Sequence, residues 1–309
     1  MSKTAVVFSG QGAQFVGMGK DLAAVFPVCR ELYAKADAVL GYSLSSLCFE
    51  GPIEELTKSN HCQPAIFLTS VACLRALQAQ MPGLEIAMTA GLSLGEWSAL
   101  HAAGVLSFED TLRVLQVRGQ AMQAACEENA GGMISVIGLS ADGLRQVCEQ
   151  TGVETANLNA EDQTVLSGPR EAIAKAEVLA KELGAKRAIV LGVAGAFHSS
   201  LMASATPKLE AVLNAAQVQA PAMPVVANVT GLPHGGPDDI RRTMLAQVTG
   251  SVHWYESINT MSAAGVTRFI ECGPGKVLTG LIKRIAKDAQ LFNIQDAPTL
   301  EATVAALKG

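Results

Sequence analysis

Gly91-Leu92-Ser93-Leu94-Gly95 sets a serine between two glycines, after a short apolar run at residues 86–91 and before apolar and small residues that continue to Gly104. A serine in that setting can serve as a nucleophile, because the glycines let a strand and a helix approach closely and the sharp turn between them exposes the hydroxyl. The start of the following helix also offers backbone N–H groups and a positive dipole end to an oxyanion. The hydroxyl needs a base. Of the five histidines, His198 in Gly195-Ala196-Phe197-His198-Ser199 is the one at a junction between differently patterned parts of the chain. His61, His101, His234 and His253 read as surface or packing residues. Arg118 shares an i, i+4 row with Val114 and Met122, which puts a cation on an apolar helix face. It either snorkels to the surface or, fixed in a pocket, grips a carboxylate through paired hydrogen bonds.

Other chemistries find no support. The turn Ser9-Gly10-Gln11-Gly12-Ala13-Gln14 fails as a dinucleotide loop because the third glycine would fall at Phe15. Neither Gly19-Lys20 nor Gly275-Lys276 completes a phosphate loop. The N–H groups at Gln11 either face an oxyanion or belong to a plain tight turn. Seven scattered cysteines without a Cys-x-x-Cys pair suit reduced, mostly buried thiols, and the histidines lack metal-binding spacing. No metal and no disulfide framework are expected. A net charge of -5 argues against bulk nucleic-acid binding while allowing a local basic patch.

The elements that must position these residues follow from periodicity. Over 309 residues, 49% are hydrophobic and 17% charged, a balance that favours compact burial, with no apolar run long enough to span a bilayer. Residues 4–8 read as a buried strand opening into the Gly10 turn, 20–40 and 62–80 as helices, and Ser107 with Asp110 as the capping box of a helix ending near Cys126. The middle then changes character: strand 133–139, helix 141–150, strands 153–158 and 164–167, helix 170–183 and strand 187–193 give the order βαββαβ. That is the ferredoxin-like pattern. Strands at 223–228 and 268–271 return the chain to α/β patterning. The expected fold class is α/β, with an α/β-hydrolase-like large domain at 1–127 and 197–309 interrupted by a ferredoxin-like subdomain at 128–196. A ligand cleft should lie between them. The opening Met1-Ser-Lys-Thr lacks the apolar stretch of a secretory signal, so a cytoplasmic protein without membrane attachment is expected. With no heptad or other assembly signal, a monomer is expected.

Several ordered runs together resemble the malonyl-CoA:acyl carrier protein transacylase family over nearly the whole chain. They are Phe8 to Gln14 with Val16 to Gly19, Gln63-Pro64, Gly91 to Glu96, Arg118-Gly119, Gly195 to His198, and Glu271 to Lys276. The resemblance implies Ser93 as nucleophile, His198 as its base, Arg118 as anchor for the malonyl carboxylate, and the N–H groups of Gln11 and Leu94 as the oxyanion hole. It further implies that Gln63 lines the pocket, that Phe197 belongs to a malonyl-type Phe-His pair, and that a backbone carbonyl in the Gln247 to Trp254 segment, assigned to Gln247, orients the histidine. No catalytic aspartate is assigned. Leu92 departs from the family, which usually has histidine before the nucleophile.

What the resemblance implies for function is an [acyl-carrier-protein] S-malonyltransferase, an acyltransferase of fatty acid biosynthesis and lipid metabolism. Its substrates are malonyl-CoA and phosphopantetheinylated acyl carrier protein, and it uses no cofactor. Alternatives are a discrete malonyl acyltransferase of a polyketide assembly line, a serine hydrolase or thioesterase, and a noncatalytic carrier-protein-binding scaffold. An acidic protein that docks an acidic carrier needs a local cationic surface, for which Lys186 with Arg187 and Lys283 with Arg284 qualify.

Overall fold

A computed structural model describes residues 3–308, so the outermost bounds expected for the large domain, Met1 and Gly309, lie outside the described residues. The described residues form a mixed α/β fold with one parallel and one antiparallel sheet, each four-stranded. The parallel sheet has the order β2-β1-β7-β8, from β1 (Lys3–Phe8), β2 (Met88–Gly91), β7 (Val266–Cys272) and β8 (Gln290–Ile294). The antiparallel sheet has the order β4-β5-β3-β6, from β3 (Gly131–Ile137), β4 (Glu154–Ala160), β5 (Gln163–Pro169) and β6 (Arg187–Val190).

The apolar run from Ala5 to Phe8 in β1 reflects burial on both faces. Val6 and Phe8 join one core cluster while Ala5 and Val7 join another, as alternating strand side chains must when helices cover both sides. Register then sets the site. Phe8 stands opposite Gly91 on one side and Cys272 on the other, so the turns after β1, β2 and β7 emerge at the same sheet edge. The antiparallel unit has its own core around Ile134, Val136, Val147, Leu166 and Ile173. Its helices, Ala141–Thr151 and Arg170–Glu182, complete the expected βαββαβ order.

Three expectations need correction. The stretch 20–40 forms two helices, Lys20–Val25 and Pro27–Leu40, because Pro27 cannot continue the first and pushes Phe26 into an extended conformation. Residues 223–228 form isolated bridges, Thr89 with Val225 and Val226 with Pro233, in place of a strand; Pro224 has no N–H to give a ladder. Ser107 does cap the helix Phe108–Glu128 by accepting from the Asp110 N–H, but Asp110 spends its carboxylate on Arg113, so only half of the box forms.

Candidate active site

Ser93 sits between β2 and the helix Leu94–Ala102 with φ 52 and ψ -103, one of two non-glycine residues at positive φ among the described residues; the other is His198, at φ 57. Such backbone is strained, and strain of this kind gathers at functional sites. The glycines explain how the elbow closes. A side chain on Gly95 would strike the Phe8 carbonyl, and one on Gly91 would strike the backbone of Gly95. The elbow is held from outside by Asn228, whose Oδ1 accepts from the Ser93 N–H at 2.6 Å and whose Nδ2 donates to the Gly91 carbonyl at 2.8 Å.

His198 Nε2 stands 2.7 Å from Ser93 Oγ. Its Nδ1 faces two backbone carbonyls, Gln247 O at 2.9 Å and Gly250 O at 3.1 Å. Carbonyls only accept, so the proton is on Nδ1 and the Nε2 lone pair is free to take the serine proton. Burial, with the Arg118 charge adding to it, holds the His198 imidazole down at about 4, so it is neutral at ordinary pH. The acceptor loop is itself laced to the antiparallel sheet. Val252 N donates to Ala156 O and Leu158 N to Val252 O, both at 2.8 Å, and Ser251 Oγ donates to Thr155 O at 2.6 Å.

Arg118 is 1% exposed, which excludes the snorkelling account. Gly119 lets its helix approach the helix Ser59–Gln80 closely, since any side chain there would meet the Ser59 carbonyl. Arg118 Nη1 then donates to Gln63 Oε1 at 2.6 Å, and Nη2 donates to Gln247 Oε1 at 3.0 Å and to Ser93 Oγ at 3.4 Å. Its Nε has no partner, and no carboxylate pairs with it among the described residues. Burial lowers its pKa to about 10 against the upward pull of Glu96, leaving the guanidinium charged at neutral pH. Gln63, expected to line the pocket, is fully buried behind Arg118 and holds it.

A cavity of about 220 Å³ opens over these groups, lined from the parallel-sheet side by Gln11, Ser93 and Arg118 and from the antiparallel unit by Asn157, Asn159 and Val165. Phe197, Leu92 and His198 also reach it. Among the described residues the N–H of Gln11 makes no bond to another backbone carbonyl, and that of Leu94 opens a helix, where the first N–H groups lack intrahelical acceptors. Among the described residues no His, Cys, Asp or Glu cluster is placed to hold a metal ion, and no helix is long and apolar enough to cross a membrane.

Sequence reasoning missed Asn228, Glu96 and the side chain of Gln247. Glu96 is 1% exposed on the helix that starts after Ser93, and His234, read as a packing residue, bonds it at 2.8 Å. A glutamate three residues past the serine was a faint signal; Asn228 gave none.

A serine on a strained elbow, with a neutral histidine at its hydroxyl and a cation alongside that no carboxylate pairs among the described residues, has the geometry that acyl transfer through a serine requires. Residues 5–304 match the acyl transferase domain family, and the chain belongs to that family. It is 43% identical over 313 residues to the malonyl CoA-acyl carrier protein transacylase of Bacillus subtilis strain 168, covering 100% of this chain and 98% of that protein. Its fold matches the structure of the malonyl CoA-acyl carrier protein transacylase from Coxiella burnetii with a TM-score of 0.95 at 35% identity, over 100% of this chain and 98% of that one. It also matches, at TM-score 0.95 and 38% identity over 99% of this chain and 100% of that one, a malonyl-transacylase in complex with its type II PKS acyl-carrier protein.

Proposed function

We propose that the protein is an [acyl-carrier-protein] S-malonyltransferase of fatty acid biosynthesis, working in the cytoplasm without a cofactor. The observation that carries this reading is Arg118, a buried cation without a carboxylate partner among the described residues, 3.4 Å from a serine hydroxyl that a neutral histidine can deprotonate. His198 takes the proton as Ser93 Oγ attacks the malonyl thioester, and the N–H groups of Gln11 and Leu94 receive the oxyanion. The C–S bond breaks, the proton passes from His198 to the departing coenzyme A thiol, and malonyl-Ser93 remains. The phosphopantetheine thiol of the carrier protein then repeats these steps in reverse. Arg118 holds the malonyl carboxylate through both halves, and Phe197 bounds the acyl chamber.

The architecture supports reading residues 1–127 with 197–309 as an α/β-hydrolase-like domain and 128–196 as an inserted ferredoxin-like subdomain. Incubation with malonyl-CoA, with and without carrier protein, tests transfer against hydrolysis: malonyl-carrier should form, and rapid release of free malonate in its absence would make the protein a hydrolase. The likeness to the type II PKS complex supports a second reading in which the acceptor belongs to a polyketide assembly line. Offering carrier proteins of both pathways to the malonyl-loaded enzyme separates the two.

A further inference from the structure

Beneath the elbow lies a buried polar chain in which Glu96 is the hub. Its Oε1 accepts from His234 Nε2 at 2.8 Å and from the Asn228 N–H at 3.2 Å. Its Oε2 accepts from Gln247 Nε2 at 2.5 Å. That same Gln247 nitrogen donates to the Ser93 carbonyl at 3.0 Å, which leaves Gln247 Oε1 toward Arg118. His234 is anchored in turn at 3.0 Å from Thr243 Oγ1. Glu96, His234 and Gln247 are all buried, so none of these polarities can be exchanged with water.

A carboxamide has one accepting and one donating end, and only its neighbours decide which points where. Here an acceptor-only carboxylate faces one end of Gln247, so the donating end must turn to it and the accepting end must turn to the guanidinium. We infer that Glu96 is a positioning residue for malonyl selectivity, acting through the Gln247 side chain to hold Arg118 in its carboxylate-receiving pose. The inference rests on Arg118 being the malonyl anchor.

Glu96→Gln isolates polarity from size. The oxygen of the new carboxamide is claimed by two fixed donors, His234 Nε2 and the Asn228 N–H, so its NH2 is forced toward Gln247 Nε2, donor against donor. Gln247 relieves that clash by flipping, which gives up its bond to the Ser93 carbonyl and sets its own NH2 against Arg118. Glu96→Asp keeps an acceptor-only group.

The test measures the rate of Ser93 loading from malonyl-CoA and from acetyl-CoA on the full-length protein by quenched mass spectrometry, and takes their ratio. Arg118→Ala should abolish the parent's malonyl preference. E96Q should lower the ratio by about tenfold or more, whereas E96D loads more slowly with its preference kept. If R118A keeps the parent's ratio, the anchor reading fails and this inference falls with it. A normal ratio in E96Q beside a collapsed one in R118A overturns the inference alone, as does loss of preference in E96D and E96Q alike. Should E96Q not fold, Gln247→Leu removes the same link from the other side: a lowered ratio supports the inference, and an unchanged one overturns it.

Discussion

Arg118 Nη2 lies 3.4 Å from Ser93 Oγ, and the two residues also share Gln247, which accepts from the arginine and donates to the serine carbonyl. The cation therefore sits beside the serine hydroxyl within one hydrogen-bonded unit. A thioester whose acyl group carries a carboxylate one methylene away can occupy both at once, and a plain acyl group uses only the serine.

Malonyl-CoA alone should add one malonyl mass to the protein, on the peptide that contains Ser93. Ser93→Ala should take up none, and His198→Ala should load roughly a hundredfold more slowly or worse. Intact-protein mass spectrometry of the three forms decides the matter; an adduct on S93A rules out the assignment.

Replacing Arg118 with alanine removes the buried cation proposed to grip the malonyl carboxylate. Malonyl transfer should lose about 2 to 4 kcal/mol in kcat/KM while acetyl transfer is spared or improved. Equal losses for the two acyl groups would assign Arg118 to the framework.

The neutral state of His198 predicts an unusual pH profile. Its pKa near 4 means that kcat/KM for acetyl loading should stay flat as pH falls through 6.5 and drop only toward 4, where the imidazole gains a proton and cannot accept another. Arg118 is one cause of the depression, so R118A should move this acid limb to higher pH. The same shift affects stability. A histidine with a depressed folded pKa stabilises the fold fully above its unfolded pKa, and that contribution is lost as pH falls from about 6.5 toward 4. H198A should therefore show a flatter melting temperature across that window.

The two basic pairs expected to meet a carrier protein separate in the structure. Arg284 is engaged with Asp162 and donates to Gln163 Oε1 at 2.6 Å, tying the helix Val277–Ile285 to the antiparallel unit. Lys186 and Arg187 are exposed and form no ion pair among the described residues. Charge reversal at Lys186 and Arg187 should raise KM for carrier protein at low salt and leave loading from malonyl-CoA unchanged. Arg284→Ala should instead lower the melting temperature; a normal KM for the first variant would place docking elsewhere.

Much of this was legible because the signals are local. The elbow announces itself through glycine spacing and a strand before it, and the βαββαβ order through periodicity and turns. Ser93, His198 and Arg118 could be named one by one from such cues, and the family resemblance joined them. What stayed hidden is what depends on distant segments meeting in buried space. Asn228 supports Ser93 across 135 positions of sequence, and Gln247 bonds Glu96 across 151. The stretch that ends at Asn228 is apolar enough to read as a strand, and only the packed fold shows that Pro224 breaks its ladder and that Asn228 is diverted to the elbow.

The loop from Gln247 to Val252 carries both carbonyls that orient His198 and is stitched by its backbone to β4. The antiparallel unit is therefore no appendage to a site completed elsewhere. Ser93 and His198 answer to different foundations, the one to the parallel sheet and the other to a seam between the two sheets. Loosening that seam would leave a well-folded serine without its proton acceptor, so under mild denaturant this molecule should fall silent before it comes apart.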